Sequence, residues 1–475
     1  MKMLVTGATG YVGGRLVPRL LSEGHEVVCL VRTPGSLDDR PWVDRVEVRI
    51  GDVLEPATLH DGLNGCDGAY YLIHSMGRHN DFYRAEQESA INFRAAAEAA
   101  GLSRIVYLGG LGSGNLSQHL ASRQAVGHLL AEGPVPVTEL RAAVVIGAGS
   151  LSFEMLRSLT EVLPVMTTPR WVRTHCQPIA VSDLLTILED AMTDVGSDSK
   201  VLEIGGPDIV SYEQMMRIYA REAGLRRRLI IPLPVLSPGL SSLWIGLVTP
   251  VPAATARPLV GSLRNEVTVS DDRYLRTLPK PPMPIAEAVR RALAPVGVVS
   301  DDPAAPQPGD PAWSGGTRYS ETREVVCRVS REVLAAEFMT IGGSKGYYTA
   351  AWAWRTRGLL DKLVGGPGLR RGREHPEQLS AGDALDFWRV ETVEPGRRLA
   401  LRAEMKMPGD ARLEFTARDH PQGSTLAQTA TFRPRGLFGR AYWYALYPFH
   451  RVIFSRMARA IVAAAESRAQ EAPIA

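Results

Sequence analysis

Short apolar runs alternate with amphipathic stretches over roughly the first 140 residues. Runs at 3–6, 26–31, 46–50, 69–73, 105–108 and 137–140 predict strands. Between them, 13–22, 84–100 and 116–131 carry apolar residues at helical spacing. Strands alternating with helices of this length predict a parallel sheet covered on both faces. The pattern loosens from residue 150 to about 294, although 201–204 reads as a further strand and 212–223 as a helix.

Residues 279–316 are dense in Pro, Gly, Asp and Ala, which predicts a helix at 285–294 and then a flexible connector over 299–316. Period-two alternation follows at 384–393, 398–405, 411–417 and 426–432, and then a long apolar helix at 447–467. That order predicts an antiparallel sheet with a terminal helix, an α+β unit over 317–475 behind a larger α/β unit over 1–298.

At 475 residues the chain has room for both cores. Its 45% apolar and 22% charged residues are ordinary for a globular protein, and a net charge of +3 gives no sign of a nucleic-acid binder. The charge is unevenly spread. From Thr317 onward there are 25 Lys/Arg against 17 Asp/Glu, so the second unit is basic and the first is slightly acidic. Cys29, Cys66, Cys176 and Cys327 lie far apart with no CxxC, which predicts neither a disulfide framework nor a cysteine metal site. With no apolar leader before the first strand, the expected location is cytoplasmic.

Gly7-Ala8-Thr9-Gly10-Tyr11-Val12-Gly13 follows the first strand and opens the first helix. Small residues there let the backbone approach a pyrophosphate, and the helix N-terminus favours its charge. This places a dinucleotide on Gly7, Thr9, Gly10, Tyr11, Val12 and Gly13, and makes the first unit a Rossmann-type doubly wound sheet. The second strand ends at Val31-Arg32 with no acidic residue to hold a ribose hydroxyl. Arg32, with Arg15 as a helper, suits a 2′-phosphate, so NADP is expected ahead of NAD. Asp52 and Val53 close the third strand, where an Asp reaches the adenine amino group. His74 and Ser75 follow the fourth, at the sheet edge where ligands sit.

TGATGYVGGRL, GDV, LRAAVVIGAGS, QPIAVSDL and EIGGP, in that order over residues 1 to about 295, resemble the extended and atypical short-chain dehydrogenase/reductases. That superfamily includes nucleotide-sugar epimerase-like, NmrA-like and complex I 39-kDa-subunit-like proteins. The resemblance implies a Tyr-x-x-x-Lys pair on one helix face, the Tyr as proton donor and the Lys on the ribose, with a Ser at the preceding strand end. Here the matching place reads His119-Leu120-Ala121-Ser122-Arg123, and the strand end reads Leu108-Gly109-Gly110-Leu111-Gly112. His119 and Arg123 become the candidate catalytic pair, with Arg123 also a cofactor contact. Standard alcohol dehydrogenation is not expected. Hydride transfer to a hydrophobic or quinone-like acceptor, which needs less acid catalysis, is the leading expectation. A non-catalytic NAD(P)H-binding redox sensor or assembly factor is the alternative.

Residues 229–256 carry no charge, but prolines at 232, 234, 238, 250 and 252 forbid a spanning helix. A cavity wall or a shallow membrane contact remains. In the second unit, GSKGYYTAAWAWRTRGLLDKLVGG and FRPRGLFGRAYWYALYPFHRVIF resemble START-like (polyketide-cyclase-like) helix-grip domains fused behind atypical reductases. The resemblance implies a small hydrophobic molecule as partner. Tyr347, Tyr348, Trp352, Trp354, Trp388, Tyr442, Trp443 and Phe449 are the candidate cavity residues. Arg355, Arg357, Lys362, Arg370, Arg371 and Arg373 form a basic cluster beside them, facing anionic lipid, an acidic ligand, the partner domain or, by default, solvent.

Overall fold

A computed structural model describes residues 1–73, 81–194, 196–233, 261–293, 301–311, 313–343, 345–349, 351–363, 365–366, 368 and 378–471. The chain divides into two compact units, Met1–Gly316 and Thr317–Ala475.

The first unit is built on a seven-stranded sheet. Its strands are β1 (Lys2–Thr6), β2 (Glu26–Val31), β3 (Glu47–Ile50), β4 (Gly68–Tyr71), β5 (Arg104–Gly110), β6 (Val137–Ala142) and β7 (Lys200–Ile204). They run in the order β7-β6-β5-β4-β1-β2-β3, and every pairing is parallel. Buried on both faces, β1, β2 and β4 read as near-continuous apolar runs rather than alternating ones. On one face α1 (Tyr11–Ser22) sends Leu16, Val17 and Leu20 into a core shared with Leu184, Leu188 and Met192 of a helix at Val181–Thr193. On the other face Leu59 and Leu63 of α2 (Pro56–Leu63), Phe93 and Ala97 of α3 (Asp81–Ala99) and Val126 and Leu130 of α4 (Gln118–Ala131) close a second core. The strand order reverses between β1 and β4. In doubly wound sheets that reversal opens a crevice at the carboxyl ends of the strands.

The loosely patterned middle is more regular than its sequence suggests. A helix at Leu151–Val162 and another at Tyr212–Glu222 pack with Ile285–Ala292 into a third core around Phe153, Met215, Tyr219 and Val289. The Tyr212–Glu222 helix starts on a capping box, with the Ser211 hydroxyl on the Gln214 amide and the Gln214 side chain on the Ser211 amide.

Residues 301–311 and 313–316, expected as part of a flexible connector, instead lie bound along the first unit. Ala304 and Ala305 are buried, and the Ala148 amide donates to the Ala304 carbonyl at 2.8 Å. Arg15 donates to Pro303 O and Ala305 O and pairs with Asp310. The Gly315 and Gly316 amides donate to the buried Glu154 carboxylate. The composition of this segment matches its irregular backbone. What it hid were the buried charges on α1 and on Leu151–Val162 that need this loop as their partner.

The second unit holds a six-stranded antiparallel sheet. Tyr319–Cys327 lies at one edge beside Gly423–Pro434, followed by Gly409–His420, Arg398–Ala403, Trp388–Glu394 and Ala384–Leu385. A terminal helix, Gly436–Glu471, buries Phe454, Met457, Ala458, Ile461 and Ala465 against it. That helix begins eleven residues earlier than its apolar run suggests and carries Pro448 inside. A proline normally breaks a helix interior, which is why the sequence pattern starts it only at 447. Helices Arg331–Phe338 and Ala351–Leu363 precede the sheet's central strands. No helix among the described residues is long and apolar enough to cross a membrane.

Candidate nucleotide site

The glycine loop sits where β1 hands over to α1. Gly7 has φ +72°, and a Cβ there would lie 2.8 Å from the Leu72 carbonyl oxygen at the end of β4. The loop therefore presses on the sheet edge in a conformation that favours glycine. A Cβ at Gly13 would strike the Gly7 carbonyl oxygen. Gly13 thus lets α1 approach the loop, and it does not itself line the cleft above it. The Gly10 amide closes the turn on Gly7 O at 2.9 Å.

A cleft of about 300 Å³ opens over this loop. Gly7, Thr9 and Gly10 line one end of it. Arg32, Thr33 and Ser36 after β2 line another part, with Asp52 and Val53 after β3. The rest of its wall includes Tyr71 and Leu72 at β4, Tyr107 on β5, and Ala85, Glu86 and Ser89 on α3. The fold thus gathers Gly7, Thr9, Gly10, Arg32, Asp52 and Val53 around one space. Asp52 is fixed by local bonds. Its carboxylate accepts from the Leu54 amide at 3.0 Å, and its own amide donates to the Thr58 hydroxyl at 2.9 Å. Arg32 is exposed at the mouth.

Other sequence candidates fall elsewhere. The Tyr11 ring points away from the cleft under the Arg15 guanidinium, 4.1 Å from its centroid, and burial pushes its phenol pKa up. Val12 does not line the cleft either. Arg15 is no helper for a 2′-phosphate. Its side chain is 1% exposed and spent on Asp310, Pro303 O and Ala148 O. His74 and Ser75 lie outside the described residues, as do most of 229–256 and Arg370, Arg371 and Arg373 of the basic cluster. Within 229–256, Leu229–Leu233 forms a strand paired in parallel with Val165–Pro169.

His119 and Arg123 both stand on α4, behind β5. Arg123 donates to the Leu108 carbonyl, and its guanidinium lies 5.3 Å from the Tyr107 ring centroid. Tyr107 Oη donates back to the Arg123 carbonyl at 2.9 Å, and burial pushes its pKa up to about 12. Neither His119 nor Arg123 lines the cleft. Among the cleft residues that the sequence did not single out are Thr33, Ser36, Tyr71, Glu86, Ser89 and Tyr107. Glu86 accepts from the Ser122 hydroxyl at 2.6 Å, which ties α3 to α4 across the cleft's back wall. Only the fold brings 85–89 opposite the glycine loop, and no local motif marks them.

Residues 7–157 match a family model described as NAD(P)H-binding, and residues 313–457 match one described as a protein of unknown function (DUF2867). A dihydroflavonol 4-reductase of Zea mays is 32% identical over 129 residues, 24% of this chain and 36% of that protein. A chloroplastic divinyl chlorophyllide a 8-vinyl-reductase of Oryza sativa subsp. indica is 25% identical over 265 residues, 51% of this chain and 63% of that protein. The chain thus spans less than two thirds of the length of these relatives. The Citrobacter sp. triphenylmethane reductase, solved with NADP(H), superposes with a TM-score of 0.50 at 21% identity, over 62% of this chain and all of that one. This likeness shows the Rossmann-type fold. The first unit carries an NAD(P)H-binding domain.

Proposed function

We propose that the first unit is an NAD(P)H-dependent oxidoreductase of the atypical short-chain class, preferring NADP(H) and reducing a hydrophobic or quinone-like acceptor. The observation that carries this reading is the cleft at the sheet's switch point, with Gly7, Thr9 and Gly10 at one part and the Arg32 cation at another. The loop amides and the N-terminus of α1 would hold the pyrophosphate. The Arg32 guanidinium would meet a 2′-phosphate by charge-assisted hydrogen bonds. Asp52, held by Leu54 N and Thr58, would accept from the adenine amino group. The bound nucleotide supplies a hydride, and the protein supplies orientation and exclusion of water.

The reductases among the relatives support the reaction class, and the residues at the usual proton-donor place support the acceptor class. Where the resemblance implies Tyr and Lys, this chain has His119 and Arg123, and Arg123 is engaged with the Leu108 carbonyl. An acceptor that takes hydride without a strong acid at that place suits this arrangement. The same engagement of Arg123 favours the second reading, a nucleotide-binding sensor without turnover.

NADPH oxidation measured against a panel of quinones and enones separates the two. Oxidation that depends on the acceptor and is lost in Gly10→Asp, which sets an anion against the pyrophosphate, is the expected result. Tight NADPH binding with no turnover across the panel would establish the sensor.

A further inference from the structure

A second cavity, about 310 Å³, lies inside the second unit between the sheet and the terminal helix. Its walls are almost wholly apolar. Trp354, Trp388, Phe432, Trp443 and Phe454 supply aromatic surface, and Phe449, 60% exposed, stands at its mouth. Tyr347 and Tyr348, expected here, are elsewhere. The Tyr347 hydroxyl is bound to Asp386 at 2.8 Å and the Tyr348 hydroxyl to Glu337, while the Trp352 side chain lies outside the described residues.

Besides Thr356, Thr431 and Tyr442, three ionisable side chains interrupt the apolar wall. Arg412 is matched by Glu391 at 3.0 Å. Arg357, half-buried on Ala351–Leu363, has no ion-pair partner among the described residues. His450 also lines the cavity, and its Nδ1 is buried without a hydrogen-bond partner. Behind His450, Glu321 and Arg323 pair with each other on the edge strand, and Arg323 also donates to the Ser455 hydroxyl at 2.9 Å. The positive charges of Arg323 and Arg357 both act on His450. A buried imidazole nitrogen without a partner is costly unless something polar completes it, and the Arg357 guanidinium beside it is free to take an anion.

We propose that this cavity binds an apolar molecule ending in a single carboxylate, the hydrocarbon lying against Trp354, Trp388, Phe432 and Trp443 and the carboxylate meeting Arg357 and His450. A carboxylate matches the planar donors of one guanidinium and leaves an oxygen for the imidazole N–H. A cationic head would meet Arg357 as a like charge. The assignment does not depend on turnover in the first unit.

Quenching of tryptophan fluorescence in the full chain, titrated with dodecanoate, dodecanol and dodecyltrimethylammonium, tests it. Dodecanoate should bind, dodecanol weakly and the cation not at all. Arg357→Gln should weaken dodecanoate roughly ten- to a hundredfold and leave dodecanol unchanged. Ala430→Trp, which fills the cavity, should abolish both, with Ala411→Trp at a second wall position as the alternative where Ala430→Trp does not fold. NADPH affinity should stay constant in every variant. Equal binding of dodecanoate and dodecanol, no effect of Arg357→Gln, or no binding of dodecanoate at all would overturn the proposal.

Discussion

Asp310 closes a two-point ion pair on Arg15, its Oδ1 2.8 Å from Nη1 and its Oδ2 2.6 Å from Nη2. The side chains are 5% and 1% exposed. A buried pair of this kind is not a large source of net stability, because both charges leave water. Removing one partner, however, strands the other. Asp310→Ala should therefore destabilise the first unit by about 3–5 kcal/mol. Urea unfolding of the full chain measures it. A loss below about 1 kcal/mol, the range of exposed pairs, would mean that 301–316 does not anchor there.

The strap has a second consequence, for where the first unit can be cut. Residues 1–298 contain every proposed nucleotide contact but lack Asp310, the Pro308 carbonyl that accepts from Arg40, and the Gly315 and Gly316 amides on Glu154. Cutting there leaves Arg15, Arg40 and Glu154 buried without those partners. Residues 1–316 should fold and bind NADPH. Residues 1–298 should aggregate or show a collapsed melting transition by circular dichroism. Equal stability of the two fragments would refute the strap's role.

The same segment shows where the sequence was legible and where it was not. Six strand runs, the glycine loop and Arg32 follow local rules of period and spacing, and each recurs in the structure within a few residues. Partners joined across long separations carry no local signal. Arg15 reads as a free cation until Asp310 is brought to it from 295 residues away. Tyr11 reads as a loop residue until its ring is seen under Arg15. Glu86, Ser89 and Tyr107 reach the cleft only because β4, β5 and α3 converge there. Helices Leu151–Val162 and Val181–Thr193 have apolar inward faces, but the strand runs at 137–140 and 201–204 are too far apart in sequence for a short βαβ rhythm to mark them.

Arg32 decides between the two nucleotides. It lines the cleft after β2 and is exposed, whereas Arg15 and Arg40, the other cations near the loop, are buried and bonded to carbonyl oxygens of 303–308. A charge-assisted contact is worth about 1.5–3 kcal/mol, or roughly ten- to a hundredfold in affinity. Arg32→Ala should weaken NADPH by that factor and leave NADH nearly unchanged in parallel calorimetric titrations. Equal weakening of both nucleotides would make Arg32 a structural residue.

His450 makes the second unit sensitive to acid. Burial, reinforced by the nearby charges of Arg323 and Arg357 and only partly offset by Glu321, lowers its pKa to about 4. An unfolded histidine titrates near 6.5. Between those values the unfolded chain holds a proton that the folded one does not, so stability falls as the pH falls. The neutral imidazole's contribution is complete above about pH 6.5 and is lost progressively down to about pH 4. The full span is ~3 kcal/mol. Urea midpoints of the full chain at about pH 7.5 and about pH 4.5, followed by tryptophan fluorescence, should separate by an amount that shrinks in His450→Gln. Gln keeps a polar end in the same place but takes up no proton, so its two midpoints should differ only by what the carboxylates contribute. If wild type and His450→Gln show the same separation, the imidazole already carries a proton in the folded state and a neighbouring anion, not the apolar wall, sets its charge.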